Sequence, residues 1–382
     1  MTGTLGTESA INSPLGYGLW DADNRYYETA DAFVRFMPES RKGIAWGGPG
    51  GLPVRDTAPR PGALNERLRK INRGIDDDVK MDMDMDPAFM GRDARLHLMD
   101  SQGLEGAVLF PTTGVNWETH MHDKPVEDLY DNLHAFNQWI QDEWGFNYQN
   151  RIFAPPIFNL ADPDLAVREL EWALDQGTRA IHLRANSAWG RGLVDPVYDP
   201  FWARVNEAEV VLSFHIALTE YVKVVGPLWG EEDRNGFPSD GFQWVTMHGD
   251  RAIMDTIANI ILYDMFGKFP NIKVLIAEHG SIWVDYLLKA MDKYRGMGRP
   301  APTRRKPSET FKEHIYVQPY YTEDLVGVVD LLGVDHVLFG SDFPHGESLP
   351  APADFKNRLE RHLSAEDLRK VMRENLRTLL LG

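Results

Sequence analysis

The stretch Ile272–His279, IKVLIAEH, is short, nearly continuous in apolar residues, and ends on two titratable side chains. A strand with one wet face alternates apolar and polar residues, whereas a strand covered on both faces does not. This stretch therefore reads as a buried parallel strand. Seven more runs of the same kind lie along the chain: Leu19–Arg25, Glu105–Pro111, Arg151–Asn159, Thr178–Arg184, Val210–Ile216, Ile315–Tyr321 and His336–Asp342. Most are followed by helical spacing. Val126–Tyr148 places Val126, Leu129, Tyr130, Leu133, Phe136 and Ile140 on one face. Asp162 is placed to cap a helix over Pro163–Gln176 that Gly177 ends, and Ser281–Tyr294 and Ala365–Glu374 are similar. Eight strand–helix alternations predict a closed (β/α)8 barrel. An open doubly wound sheet would carry a Gly-rich turn after strand one, and none is there.

Length and composition agree with one barrel domain over residues 1–382, distorted by long insertions after strands one and five. The first insertion, 29–90, is rich in Gly, Pro and charge; the second, 217–247, carries Trp229, Phe237, Phe242 and Trp244. Both leave the C-terminal ends of strands, so a lid and pocket walls are expected. MDMDMD at 81–86 lacks the Gly and closing Glu of a calcium loop and reads as a solvated acidic turn. A net charge of −17 argues against nucleic acid as the main partner. No apolar run is long enough for a membrane span, and the N-terminus has no signal pattern, so a cytoplasmic location is the default. With no cysteine, any metal must be held by His, Asp or Glu. A small-molecule substrate is expected, and the chain is compatible with a homo-oligomer.

Barrel chemistry sits at strand ends. Strand one ends Asp21-Ala-Asp23-Asn-Arg25, and period two puts Asp21, Asp23 and Arg25 on one face. Strand five ends on His215, strand six on Glu278 and His279, and strand eight on Ser341, Asp342 and the nearby His345 and Glu347. Two histidines and two aspartates, His215, His279, Asp23 and Asp342, converging on one mouth form a reasonable site for a hard cation. His182 and Arg184 share a face of strand four, where a ligand or anion-binding role competes with core packing and a rim ion pair. His248-Gly-Asp250 reads as a helix cap. The basic residues of 60–73 lie in the expected lid, where they could meet phosphates; Arg304, Arg305 and Lys306 read as solvated surface.

The stretches DADNRYYE (21–28), MDPAFMGRDARLHLMDSQGLEGAVLFP (85–111), FHI (214–216), GKFPNIKVLIAEHG (267–280), FGSDFPHGE (339–347) and KVMRENLRTLL (370–380) resemble, as an ordered set, the amidohydrolase-related branch of the amidohydrolase superfamily. The resemblance implies a distorted TIM barrel. It implies a divalent metal held at Asp23, position 25, His215, His279 and Asp342, with Asp342 as general base to a bound water. Position 25 departs from the family's His, because a guanidinium stays protonated and cannot ligate a cation. Arg25 is then either paired with carboxylates or a clamp for an anionic substrate. Glu28, Glu278, His345, Glu347, His120 and His122 become the candidates to complete the shell.

DADN-x-YYE and SDFPH-G-E look closest to a subset of these barrels that are non-heme diiron monooxygenases acting mostly on CoA-linked acids. That resemblance implies two Fe ions held by Asp23, Glu28, His215, His279, Asp342, His345 and Glu347, with Asp342, Arg25 and His345 in catalysis. The substrate would be a small organic acid or its CoA thioester. The alternatives are a mononuclear hydrolase of C–N or C–O bonds using Zn or Mn, and a non-oxidative decarboxylase.

Overall fold

The computed structural model describes residues 13–75, 78–231, 238 and 240–382. Seven regular parallel strands form two arcs. β1 (Leu19–Tyr26), β2 (Leu104–Pro111) and β3 (Ile152–Phe153) make the first. β4 (Ala180–Arg184), β5 (Val211–His215), β6 (Val274–Ala277) and β7 (Ile315–Val317) make the second. Two irregular segments join the arcs. At one junction His182 N donates to Pro156 O (2.9 Å) and Phe158 N to His182 O (2.8 Å). At the other, Leu338 N donates to Val317 O (2.9 Å), Ala22 N to Phe339 O (2.9 Å), Asp342 N to Asp23 O (2.7 Å) and Arg25 N to Phe343 O (2.8 Å). The ring is thereby closed as a (β/α)8 barrel.

The eight staves were legible as apolar runs, but two of them are not regular strands along their length. In 151–159 only Ile152–Phe153 pairs as a strand, because Pro155 and Pro156 bring no N–H to the ladder. In 336–342 and the residue after it, isolated bridges replace a ladder, at Val317 with Val337 and at Asn24 with Phe343. β1 also departs from simple alternation: its register against β2 shifts between Asp21 and Asn24, so Asp21 does not share the mouth-facing set with Asp23 and Arg25.

Continuous apolar runs are explained by burial on both faces. Trp20, Ala22, Val108, Phe110, Phe153, Val211, Leu275 and Leu338 form one cluster with Leu376 and Leu380 of the terminal helix Asn375–Leu381. Leu19, Ala107, Leu109, Ile152, Leu212, Phe214 and Ile276 belong to the larger cluster shared with the surrounding helices. The helix predicted at 126–148 is Val126–Glu143, and its expected face is buried except for Val126, which is 40% exposed. Asp162 caps Pro163–Asp175 by accepting from Asp164 N and Leu165 N. The last predicted helix runs on as a π segment, Lys370–Glu374, into Asn375–Leu381.

The first insertion contains the helix Ala63–Asn72 between the two strands of an antiparallel ribbon, Thr57–Pro59 and Asp82–Asp84. The MDMDMD repeat is therefore one edge of this ribbon, and its last residue, Asp86, caps the helix Pro87–Met90. The second insertion holds the short helices Tyr221–Val225 and Gly241–Met247. Trp229 is exposed there, and the expected wall residue Phe237 lies outside the described residues. Among the described residues no helix is long and apolar enough to cross a membrane.

Gly106 gives a test of interior packing. A Cβ at this position would lie 2.8 Å from the Trp20 ring. Removing a strand glycine relieves unfolded-chain entropy worth roughly 0.4–1 kcal/mol, but overpacking a full interior costs about 1–3 kcal/mol. The steric effect should win, so Gly106→Ala is expected to lower the urea midpoint; an unchanged or higher midpoint would show that the Trp20 side yields freely.

Candidate active site

The mouth of the barrel gathers side chains from distant parts of the chain. β1 supplies Asp23 and Arg25, β5 ends on His215, and Glu278 follows β6. The closing segment and its turn supply Asp342, His345 and Glu347. His215 Nε2 lies 2.9 Å from Glu278 Oε2 and 3.7 Å from Asp23 Oδ1. Arg25 pairs closely with Glu278, reaches Asp342 Oδ1 through Nε at 3.3 Å, and donates from Nη1 to Pro111 O at 2.9 Å. His345 Nδ1 is 3.2 Å from Asp342 Oδ1 and 3.9 Å from Glu278 Oε1. Asp23, Glu278 and Asp342 are all buried.

Among the described residues, two sets of ligand atoms fall within 4.8 Å of one another: Asp23, His215 and Glu278, and Glu278, Asp342, His345 and Glu347. Glu278 belongs to both. Among the described residues, neither oxygen of the fully buried Asp23 has a hydrogen-bond partner. Burial, and then the charge of Asp342, push its carboxyl well above the usual range. His215 Nδ1 faces the carbonyl of Ile216 at 2.8 Å, which leaves Nε2 as the free nitrogen toward the carboxylates. Burial pushes the His215 imidazole well below its ordinary value, so it is neutral and ligand-competent. Unpartnered carboxylate oxygens beside a neutral imidazole nitrogen fit a divalent cation.

The backbone is arranged to present these groups. Among non-glycine residues, Glu278 (φ 51°) and Asp342 (φ 55°) both adopt the left-handed region. Such conformations persist where surrounding structure enforces them. For Glu278 the surroundings are Gln318, whose Oε1 accepts from Glu278 N at 3.0 Å, and Tyr320, whose hydroxyl donates to Glu278 O at 2.6 Å. For Asp342 the key is Asp21. Its carboxylate accepts from Asp23 N (3.1 Å), Asn24 Nδ2 (3.0 Å), Ser341 N (2.9 Å) and Ser341 Oγ (2.5 Å). One carboxylate thus ties β1 to the closing segment. Arg95, fully buried, then binds Asn24 Oδ1, Arg25 O and Ala88 O.

Several sequence candidates lie elsewhere. The Glu28 carboxylate accepts from Thr113 N (3.0 Å) and Gly114 N (2.6 Å) and joins neither donor set, because the turn after β2 satisfies it. His279 also joins neither set; it borders a small void with Ile216, Ala217 and His248. His120 stacks on Trp46 and His122 on Trp189. His182 packs edge-on to Phe110 and His215. Arg184 is held by Glu118 (2.7 Å) and Glu220 (3.0 Å), the rim ion pairs of its plainer reading. Arg25 is likewise charge-paired rather than offered to an anion. Asp250 makes no side-chain cap bond to its helix, and His248 instead lines the mouth. In the basic stretch of the first insertion, Glu66 takes up Arg60 (2.7 Å) and lies 3.9 Å from Lys70.

Above the donor sets lies a cavity of about 370 Å³. Arg25, Glu278, His345 and Glu347 are part of its polar lining, with Thr112, Asn116 and His248; Tyr27, Leu64, Val115, Trp244 and Tyr320 stand on its walls, and the exposed Arg55 also borders it. Both insertions contribute, through Arg55 and Leu64 and through Trp244.

The profile of the amidohydrolase family matches residues 117–380, well over half of the chain. The chain belongs to the amidohydrolase family. An amidohydrolase from Mycobacterium avium subsp. paratuberculosis K-10 has a similar structure, with a TM-score of 0.84 and 33% identity, covering 95% of this chain and 99% of that one. The chain is also similar to the gamma-resorcylate decarboxylase of Polaromonas sp. (strain JS666 / ATCC BAA-500), 24% identical over 73% of this chain and 84% of the relative. A dihydroxybenzoic acid decarboxylase structure from Polaromonas sp. JS666, with bound manganese and 2-nitroresorcinol, shares the fold at a TM-score of 0.57 and 19% identity, covering 95% of this chain and 97% of that one. The chain is thus an enzyme of the amidohydrolase superfamily.

His182 offers a pH test. Burial pushes its imidazole down to about 3, against an unfolded value near 6.5. Below pH 6.5 the unfolded chain takes up a proton that the native state refuses, so this contribution to stability is lost as pH falls toward 3. The buried acid Asp21, pushed up to about 6, acts in the opposite direction. The comparison that isolates His182 is the urea midpoint of wild type against His182→Gln at pH 7 and pH 4.5; the wild type should lose more stability than the variant between the two. Parallel shifts would show that the imidazole is not held neutral.

Proposed function

We propose that this amidohydrolase is a metal-dependent carboxy-lyase that removes CO2 from a hydroxylated aromatic acid without O2. The reading is carried by the unpartnered Asp23 carboxylate, set beside His215 and Asp342 and next to Glu278, which lines a cavity with aromatic walls. The likeness to gamma-resorcylate decarboxylases supports it. Asp23, His215, Glu278 and Asp342 would hold the cation, with manganese or zinc suited to the mixed oxygen and nitrogen donors. A divalent cation held there would supply stabilisation of negative charge on substrate oxygens.

The remaining chemistry belongs to the chain. His345 lines the cavity and is backed by Asp342 at Nδ1. A carboxylate at one ring nitrogen orients the other toward substrate. His345 then delivers a proton to the ring carbon that bears the carboxylate. The bond between that carbon and the carboxylate breaks, its electrons return to the ring, and CO2 leaves. Arg25 holds Glu278 and Asp342 in place by charge, and the apolar walls seat the ring and exclude water.

A second reading is favoured by one feature, the membership of Glu278 in two donor sets. A pair of carboxylate-rich sites suits two iron ions and O2-dependent hydroxylation of an organic acid or CoA thioester. This is the activity of the monooxygenases that the sequence resembles. In a hydrolase reading Asp342 serves instead as general base.

Elemental analysis with anaerobic assays separates these readings. One manganese or zinc per chain, with CO2 released from a panel of ortho-hydroxybenzoates under nitrogen, is expected. Two irons per chain with O2 uptake and no CO2 release would overturn the proposal. His345→Gln should keep the cation yet reduce kcat roughly 10²-fold or more, the scale of a lost general acid; an unchanged kcat would remove His345 from the proton path.

A further inference from the structure

Glu278 joins both donor sets, so the turn that carries it bears on both. That turn, 278–281, is sharply bent: Glu278 (φ 51°) and Gly280 (φ 58°) both lie in the left-handed region. For a non-glycine residue such backbone persists only where contacts enforce it. Gln318 and Tyr320 hold the first residue of the turn. The last, the buried Ser281, is held by Glu323. Glu323 Oε1 accepts from Ser281 N at 3.1 Å, and Glu323 Oε2 accepts from Ser281 Oγ at 2.5 Å.

The same Glu323 Oε2 accepts from Tyr320 N at 3.2 Å. Tyr320 lines the cavity and reaches back through its hydroxyl to Glu278 O at 2.6 Å. The contacts thus close a ring: Glu323 grips Ser281 and Tyr320, and Tyr320 grips Glu278. Gly280 leaves the space for it, since a Cβ there would collide with the Glu323 carboxylate and lie 2.7 Å from the Tyr320 ring. The backbone of Glu323 is itself anchored. Its carbonyl accepts from Leu325 N (3.1 Å), at the start of the helix Leu325–Leu332, and from Arg358 Nη2 (3.0 Å). Glu323 neither joins a donor set nor lines the cavity, so it acts on the mouth only through Ser281 and Tyr320.

We propose that Glu323 is a positioning residue, which fixes the turn presenting Glu278 to the cation and the Tyr320 wall of the cavity as one unit. The inference rests on Glu278 as a ligand of the proposed metal site, and holds whichever reaction that metal serves. Groups that hold metal ligands from behind typically contribute about 10–100-fold to metal affinity.

Manganese titration of the metal-free full chain, followed by the electron paramagnetic resonance of the free ion, tests it. Glu323→Gln keeps the side chain's shape, but its amide NH2 sets a donor against a backbone N–H, so at least one of the three bonds is lost. Affinity should fall about tenfold. Removing a negative charge also weakens cation binding at range. Ser281→Ala changes no charge and separates the two effects. Positioning predicts that Ser281→Ala alone lowers the affinity severalfold, and that in the double variant the two losses overlap instead of adding. Wild-type affinity in Ser281→Ala, or strictly additive losses, would overturn the positioning role. So would variants whose metal-free urea midpoints fall while their manganese affinity holds. If Glu323→Gln folds poorly, Ser281→Ala alone still decides the matter. Failure of the carboxy-lyase reading shows separately, as absence of CO2 release from a wild type that binds manganese.

Discussion

Three carboxylates, Asp23, Glu278 and Asp342, are brought together where solvent barely reaches, and the architecture of the mouth follows from balancing them. Two like charges 4 Å apart repel by about 4 kcal/mol even at an effective dielectric constant near 20. The neighbouring imidazole of His215 is held neutral by burial and supplies no compensating charge. Arg25 supplies one positive charge, directed at Glu278 and Asp342. Around a bound ion, three ionised carboxylates less one guanidinium would leave two negative charges, which is the charge a divalent cation neutralises. Asp23 is the one carboxylate of the three that Arg25 does not pair with, and neither of its oxygens has a hydrogen-bond partner among the described residues. On the proposed reading, Arg25 would stand in place of a neutral ligand and share the work of neutralisation with the cation.

Much of the fold was legible because burial on both faces leaves a plain mark. Val108 and Phe110 point to one cluster, while Ala107 and Leu109 point to the other, so the run could not alternate in polarity. The same mark says nothing of backbone hydrogen bonding. Pro155 and Pro156 stand in an apolar run that fills its place in the ring, yet the regular strand is two residues long. Asp23, His215 and Asp342 were legible because titratable groups at the ends of such runs have few structural reasons to be there. Glu28 and His279 carried the same signal and differ only in which way the chain turns after the strand, a choice set by contacts with Thr113, Gly114 and the space around His248.

The groups that position the site left weaker traces. Glu278 precedes a histidine at a strand end, but its left-handed backbone depends on Gln318 and Tyr320, some forty residues away in sequence. Arg95 sits in a helix whose pattern reads as an ordinary amphipathic one, and only the folded chain shows it buried beneath β1. Asp21 lies in the motif yet works through Ser341, on the far side of the closure. Sequence spacing carries information along one element, and these contacts run between elements.

The two seams of the ring have a consequence for how the molecule holds together. Asp23 belongs to the arc β1–β3, while His215 and Glu278 belong to the arc β4–β7, and Asp342 lies in the irregular seam between them. An ion bound by all four would act as a rivet across the least regularly hydrogen-bonded part of the wall. Catalytic competence and mechanical closure would then be one equilibrium, with the cation adding to native stability by mass action. Loosening the seam would move the ligands apart together, so breathing of the barrel and loss of the ion would be the same event viewed from two sides.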